Sequence, residues 1–264
     1  MVFPKFSANT GYLWRDHPFV ERIKLSGQNG FDAVEFHDEA QSADLDAVID
    51  ALQSHDLPVV SINTVKGNSF GNAAIPGDEN SAKRTIDDAA AIADRVDAKA
   101  IHVLAGCVKG GEAHKTFTSN LRYALEQTDR MILIEPISNS AVPGYFLQNI
   151  QQANSILEEI SHSRLKIMFD CFHIRHEFKN LGKIFQEFAK KIGHVQISSF
   201  PTRNEPVDGE IEYSNLLFIM KSVGYDGFIG CEYNPRHEII SGLGFRNELK
   251  KGFERRSLQY RRDI

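Results

Sequence analysis

Four polar side chains interrupt runs that are otherwise apolar: Glu135 in "ILIEP", Asp170 in "IMFDCFH", Gln196 in "HVQIS" and Glu232 in "GCEYNP". A carboxylate at the end of an apolar strand is costly to bury unless it is paired or holds a cation. Three carboxylates brought close together also raise one another's proton affinity. A divalent cation removes both costs, and three carboxylates with one amide oxygen form an all-oxygen set suited to a single Mg²⁺ or Mn²⁺. Taken singly, each is a capping or salt-bridged acid at a strand end. Taken together, at matching places in four successive runs, they predict one shared ion. Other groups nearby suit a small substrate. His173 follows Asp170 by three residues, where the run ends, and fits a hydrogen bond to a substrate oxygen or a loop cap. His102, inside "AIHVLAG", lines the pocket or sits satisfied in the core. Arg203, in "PTRNEPVDGEI", offers a fork for a substrate carboxylate or makes a surface ion pair, with Glu205 near enough to orient it.

These residues need a frame that brings them together. The apolar runs are Phe6–Asn9, Ala33–Phe36, Val59–Asn63, Ala100–Gly106, Met131–Pro136, Leu165–His173, His194–Ser199 and Phe228–Tyr233. They are short, rich in β-branched or aromatic residues, and continuous rather than alternating, as strands buried on both faces of a parallel sheet are. Helical patterns lie between them: "VERIKLSGQNG", "DLDAVIDALQSHD", "SAKRTIDDAAAIADRVDA" with Ser81 as its expected N-cap, "FTSNLRYALEQ", "NIQQANSILEEI", "LGKIFQEFAKKIG" and "YSNLLFIMKSVG". Strand and helix alternate about eight times, which predicts an α/β fold of the (β/α)₈ TIM-barrel type. An open doubly wound sheet is the alternative, but no Gly-x-Gly-x-x-Gly follows the first strand. The loops after the third, fifth and seventh strands are long: "TVKGNSFGNAAIPGDEN", "ISNSAVPGYFLQ" and "FPTRNEPVDGEIEY". They lie on the face where such barrels carry their active sites.

Composition narrows the partners. The 264 residues suit one barrel domain spanning 1–264, without linker or low-complexity segment. Thirty basic and thirty-five acidic side chains leave a net charge of -5, which argues against binding nucleic acid along its phosphates. No run approaches the ~20 apolar residues of a membrane span, and no signal-peptide pattern opens the chain. Cys107, Cys171 and Cys231 form no Cys-x-x-Cys pair and read as buried reduced thiols. A cytoplasmic protein acting on a small molecule is the expectation. The C-terminal "FRNELKKGFERRSLQYRRDI" reads as a basic helical tail, either a solvated helix face or a subunit contact in a homo-oligomer.

The motifs also resemble a known group. "FSAN", "GF-AVEF", "AAIPG", "IHVLAG", "NLRYA", "LIEPI", "D-x-x-H", "GHVQI", "R-x-EP-x-x-GEI-Y", "GYDGFIGCEY-P" and "GLGF" occur in the order seen in the hydroxypyruvate isomerase family of xylose isomerase-like barrels. The resemblance runs from Phe6 to about Phe245 and is most specific between His194 and Pro235. It implies that Glu135, Asp170, Gln196 and Glu232 are metal ligands. It also implies that Glu135 and Glu232 are the paired proton donor and acceptor, and that His173 and Arg203 contact substrate. The chain departs from the family at Asn234, where lysine is common, at "HDEAQ" after the second strand, and in a shorter loop around "VKGNSFGN".

The expected reaction is proton transfer between adjacent carbons through an enediol. It would convert hydroxypyruvate to tartronate semialdehyde, or act on a related 2-oxo sugar acid. Ketose 3-epimerases and sugar dehydratases on the same scaffold are the nearest alternatives. Metal-dependent phosphodiester cleavage needs more metals and more histidine ligands. A non-catalytic sugar-acid-binding barrel would be expected to lack one of the two glutamates.

Overall fold

The computed structural model describes residues 1–207 and 209–262. Asp208 in "EPVDGEI" and the last two residues of the basic tail lie outside the described residues. Eight strands form: β1 (Phe6–Asn9), β2 (Ala33–Glu35), β3 (Ser61–Asn63), β4 (Ala100–His102), β5 (Met131–Ile134), β6 (Leu165–Asp170), β7 (Ile192–Ile197) and β8 (Ile229–Cys231). Nearly every strand residue is buried, so the continuous apolar runs reflect strands covered on both faces. All pairings are parallel, in the order β2-β1-β8-β7-β6-β5-β4-β3. A parallel bridge between Val34 and Val59 joins the two ends of that order. There the Phe36 N–H donates to the Ser61 carbonyl at 2.9 Å and the Asn63 N–H to the His37 carbonyl at 3.0 Å. The sheet is thus a nearly closed (β/α)₈ barrel.

The helices are α1 (Phe19–Gln28), α2 (Leu45–Ser54), α3 (Glu79–Arg95), α4 (Ala113–Gln127), α5 (Ile150–Ile160), α6 (Cys171–Arg175), α7 (Leu181–Phe188), α8 (Tyr213–Ser222), α9 (Ile239–Gly242) and α10 (Phe245–Arg262). Each longer helix buries one stripe. On α3 that stripe is Ala82, Ile86, Ala89, Ala90, Ile92 and Ala93, small enough for close packing on the strands. Helix α3 begins at Glu79, ahead of the expected cap at Ser81. The Glu79 carboxylate accepts the Gly77 N–H at 3.1 Å at the positive helix end, and the Ser81 hydroxyl instead accepts from Asn72 at 3.1 Å. The basic tail is α10. Its Phe245, Leu249 and Phe253 are buried, and Gly252 lets it approach α8, since a Cβ there would lie 2.1 Å from the Ser214 hydroxyl.

Two local features set up the site. First, β6 stops at Asp170 because that side chain turns back, its Oδ1 accepting the Phe172 N–H at 2.8 Å, and so caps α6. His173 therefore stands on a one-turn helix rather than on the strand. Second, strand alternation puts Ala100 and His102, Leu133 and Glu135, and Met168 and Asp170 on common faces. Ala100, Leu133 and Met168 form a small apolar cluster of their own, the floor beneath the polar groups.

Candidate active site

At the C-terminal ends of the strands a cavity of about 250 Å³ is lined by Tyr12, His37, Glu135, His173, Arg203 and Glu232, with Lys66 and apolar side chains beside them. Its hub is Arg203. One guanidinium nitrogen donates to Asp170 Oδ2 at 3.0 Å and to Glu232 Oε2 at 2.6 Å; the other donates to His173 Nε2 at 3.1 Å. Tyr12 and Phe172 flank the guanidinium, with their ring centroids 5.1 and 4.8 Å from it. The backbone fixes the same residue: Arg203 adopts a left-handed φ of 55°, and its carbonyl accepts the Asn234 N–H at 2.7 Å. Arg203 can only donate, so His173 Nε2 accepts from it, while Nδ1 on the other side of the ring faces the Ser138 N–H at 3.3 Å and the Ser138 hydroxyl at 3.2 Å.

A second network lies deeper. The Glu35 carboxylate accepts from Ser7 at 2.8 Å, Asn9 at 3.0 Å, His194 at 2.7 Å and Gln196 at 2.8 Å. Burial opposes ionisation of Glu35, but His194 and these donors outweigh it and lower its proton affinity. Gly230 makes room for this carboxylate, since a Cβ there would lie 2.5 Å from Glu35 Oε2. The network decides which way Gln196 faces. A carboxylate only accepts, so Gln196 presents its amide nitrogen to Glu35 and leaves its Oε1 buried without a partner. Asn9 ties the two levels together, donating also to Glu232 Oε1 at 3.2 Å.

The two glutamates are electrostatically opposite. Burial raises the proton affinity of Glu135 well above the usual carboxylate value, and the charges of Glu232 and Asp170 raise it further. Burial also pushes Asp170 up to about 7, against the pull of Arg203. Burial works the same way on Glu232, yet Arg203 and a 3.1 Å hydrogen bond from His37 hold it at about 2. His37 is correspondingly raised by Glu232 despite its own burial.

The structure brings Glu135, Asp170, His173, Arg203 and Glu232 into one group; Gln196 sits beside Asp170 in the β6–β7 register, with its amide nitrogen on Glu35. Carboxylate oxygens of Glu135 and Asp170 and a ring nitrogen of His173 lie within 4.8 Å of one another, close enough to share an ion. Glu135 Oε1, like Gln196 Oε1, is buried without a partner. Two orphaned oxygens beside an anionic pair fit a divalent cation; Asp170 and Glu232 reach it only by giving up part of their hold on Arg203. His102 does not line the cavity. It is buried 3.8 Å from Glu135, its Nε2 has no hydrogen-bond partner, and burial lowers it to about 3. Glu205 does not meet the Arg203 guanidinium: its carboxylate accepts the Arg236 N–H at 3.1 Å. Arg203 was expected to face a substrate carboxylate; its terminal nitrogens are engaged with Asp170, Glu232 and His173. Asn234, at the position where the family often has lysine, is exposed and serves the site through its backbone.

Sequence reasoning missed Tyr12, His37, Glu35, His194 and Asn9. Glu35 carried a signal, an acid inside "AVEF", but its partners come from the first and seventh strands and only the barrel order brings them near. His37 sits in "HDEAQ", read only as a departure from the family pattern.

The family model of the xylose isomerase-like TIM barrel matches residues 23–250. The chain is 34% identical to a 2-oxo-tetronate isomerase of Cupriavidus necator, over 92% of this chain and 97% of the relative. It is 33% identical to a hydroxypyruvate isomerase of Escherichia coli, over 90% and 96%. A solved structure described as a family 2 AP endonuclease from Brucella melitensis superposes with a TM-score of 0.88 at 32% identity, covering 92% of this chain and 97% of that one.

Proposed function

The chain belongs to the xylose isomerase-like TIM barrel family, and from that premise we propose that it is an isomerase of the aldose–ketose type acting on a small 2-oxo or 2-hydroxy acid. The reading includes dependence on one divalent ion, Mg²⁺ or Mn²⁺. Hydroxypyruvate and 2-oxo-tetronate, named for the relatives, are the first substrates to test.

One observation carries the reading: two buried carboxylates, Glu135 and Glu232, face one small cavity, with Asp170 and His173 beside Glu135. Isomerisation through an enediol needs a base at one carbon and an acid at its neighbour. Glu232, kept ionised by Arg203 and His37, is suited to take the C–H proton. Glu135, buried beside Asp170 and facing the same cavity, is placed to deliver one to the adjacent carbon. A divalent ion held by Glu135, Asp170, Gln196 and Glu232 would act as a Lewis acid toward the charge that develops as the proton leaves. Arg203 and the neutral His173 line the same space, where Arg203 would hold Glu232 in position. Tyr12, Phe172 and the apolar wall exclude water, which strengthens each of these interactions.

Phosphodiester cleavage, the activity named for the Brucella structure, fits less well. The chain carries a net charge of -5, and among the described residues one cluster of potential metal ligands stands out.

Incubation of the Mn²⁺-loaded protein with hydroxypyruvate and with 2-oxo-tetronate in D₂O tests the reading. Deuterium should appear next to the carbonyl. Protein that is folded and metal-loaded but leaves both compounds unlabelled would refute it.

A further inference from the structure

An acid substrate needs a cation for its carboxylate, and the cavity's arginine is largely buried against Asp170 and Glu232. Arg203 bonds to Asp170, Glu232 and His173, and its guanidinium is sandwiched between two rings. The other full positive charge in the lining is Lys66, on the loop after β3. That loop holds it firmly. The Lys66 N–H donates to Asp38 Oδ2 at 2.8 Å, and its carbonyl accepts the Gly71 N–H at 2.6 Å. Its ammonium lies 4.3 Å from the centroid of Phe70, which itself walls the cavity. Among the described residues that ammonium forms no ion pair, although Asp38 is beside its own backbone. The cavity, at about 250 Å³, falls below the range typical of drug-sized ligands, so a ligand reaching Glu135 at the closed end keeps its other end near the mouth.

We propose that the Lys66 ammonium, held over the Phe70 ring at the cavity mouth, binds the carboxylate of the substrate and thereby selects small 2-oxo and 2-hydroxy acids over neutral ketoses. This rests on the isomerase reading above. It divides the work of the site. The β5–β8 side changes the reacting carbons, and the β3 loop recognises the far end. A charge-assisted hydrogen bond at a partly solvated mouth predicts an effect of about tenfold.

The test uses the whole, Mn²⁺-loaded protein with glycerate, a hydroxy acid that cannot isomerise, as the binding probe. Calorimetry should show glycerate bound about tenfold more weakly by Lys66→Ala, with most of the affinity kept by Lys66→Arg. In kinetics the loss should fall on KM for hydroxypyruvate, and the preference for hydroxypyruvate over dihydroxyacetone should drop about tenfold. Lys66 is exposed on a loop, so both variants should fold. Glycerate affinity in Lys66→Ala within twofold of the parent would overturn the proposal, as would failure of the parent to bind glycerate. If the parent binds glycerate through Lys66 yet labels neither carbonyl compound in D₂O, the isomerase reading fails while the acid site stands.

Discussion

Two clusters of buried carboxylates share this barrel and are built in opposite ways. Around Glu35 both oxygens are answered by donors from Ser7, Asn9, His194 and Gln196. Around Glu135 an oxygen is left without a partner, the proton affinity is raised, and the neighbouring histidines are held neutral by burial. Buried polar groups are normally satisfied, so the first cluster is what structure alone requires and the second is what it would avoid. On the function proposed above, Glu35 is scaffold and Glu135 the working end. Gln196 belongs to both, with its nitrogen in the satisfied cluster and its oxygen in the open one.

The comparison breaks most sharply at Glu232. Glu232→Gln keeps the shape of the side chain but removes the ionised oxygen pair held by Arg203 and His37. Turnover should fall about 10²–10⁴-fold, read as kcat for hydroxypyruvate, with the fold intact by circular dichroism. Near-normal turnover would remove Glu232 from the reaction. Glu35→Ala attacks the other cluster and leaves His194 and Gln196 without their acceptor. Loss of one partner from a buried pair costs about 3–5 kcal/mol, so denaturant melts should show a large drop in stability. Binding of Mn²⁺ should also weaken about 10–100-fold, because Gln196 is then free to turn its amide over. A small stability change in Glu35→Ala would erase the distinction between the two clusters.

The smallest effect is in pH. Asp170 is pushed up to about 7, chiefly by burial, so a cation must displace its proton below that point. Glu135 must shed its proton as well, so apparent Mn²⁺ affinity should rise at least about tenfold per pH unit up to about 7. The sign reverses for the metal-free protein. An acid whose folded pKa is raised contributes stability fully present below its unfolded value and lost as pH rises through about 7. The melting temperature of the metal-free protein relative to an Asp170→Asn variant should accordingly fall between about pH 4 and 7, and added Mn²⁺ should offset that fall. A flat profile would place Asp170 in a better-satisfied setting than the geometry indicates.

Much of this was legible in the chain. The β1 run Phe6–Asn9 has the bounds read from its composition, and each of the eight runs overlaps a strand, with β7 starting two residues ahead of its run, because burial on both faces imposes continuous apolar residues. Glu135, Asp170 and Glu232 stood out because charge is rare in such runs. What was hidden depends on partners far apart in sequence. Glu35 meets Gln196 161 residues away, and His37 meets Glu232 across 195. The Arg203 geometry was also out of reach, since a loop residue can face outward to solvent or inward to carboxylates with the same neighbours in sequence. Helix α6 was masked because Asp170 reads equally as the end of a strand and as the cap of a helix, and it is both.

The bare Cα of Gly230 limits how this enzyme can be redesigned. A single added methyl would strike the Glu35 carboxylate at 2.5 Å, and the shove would pass through Asn9, whose one amide nitrogen grips both Glu35 and Glu232. Substitutions meant to retune which compounds enter should therefore be confined to the loops, since enlarging this position of β8 is transmitted to Glu232.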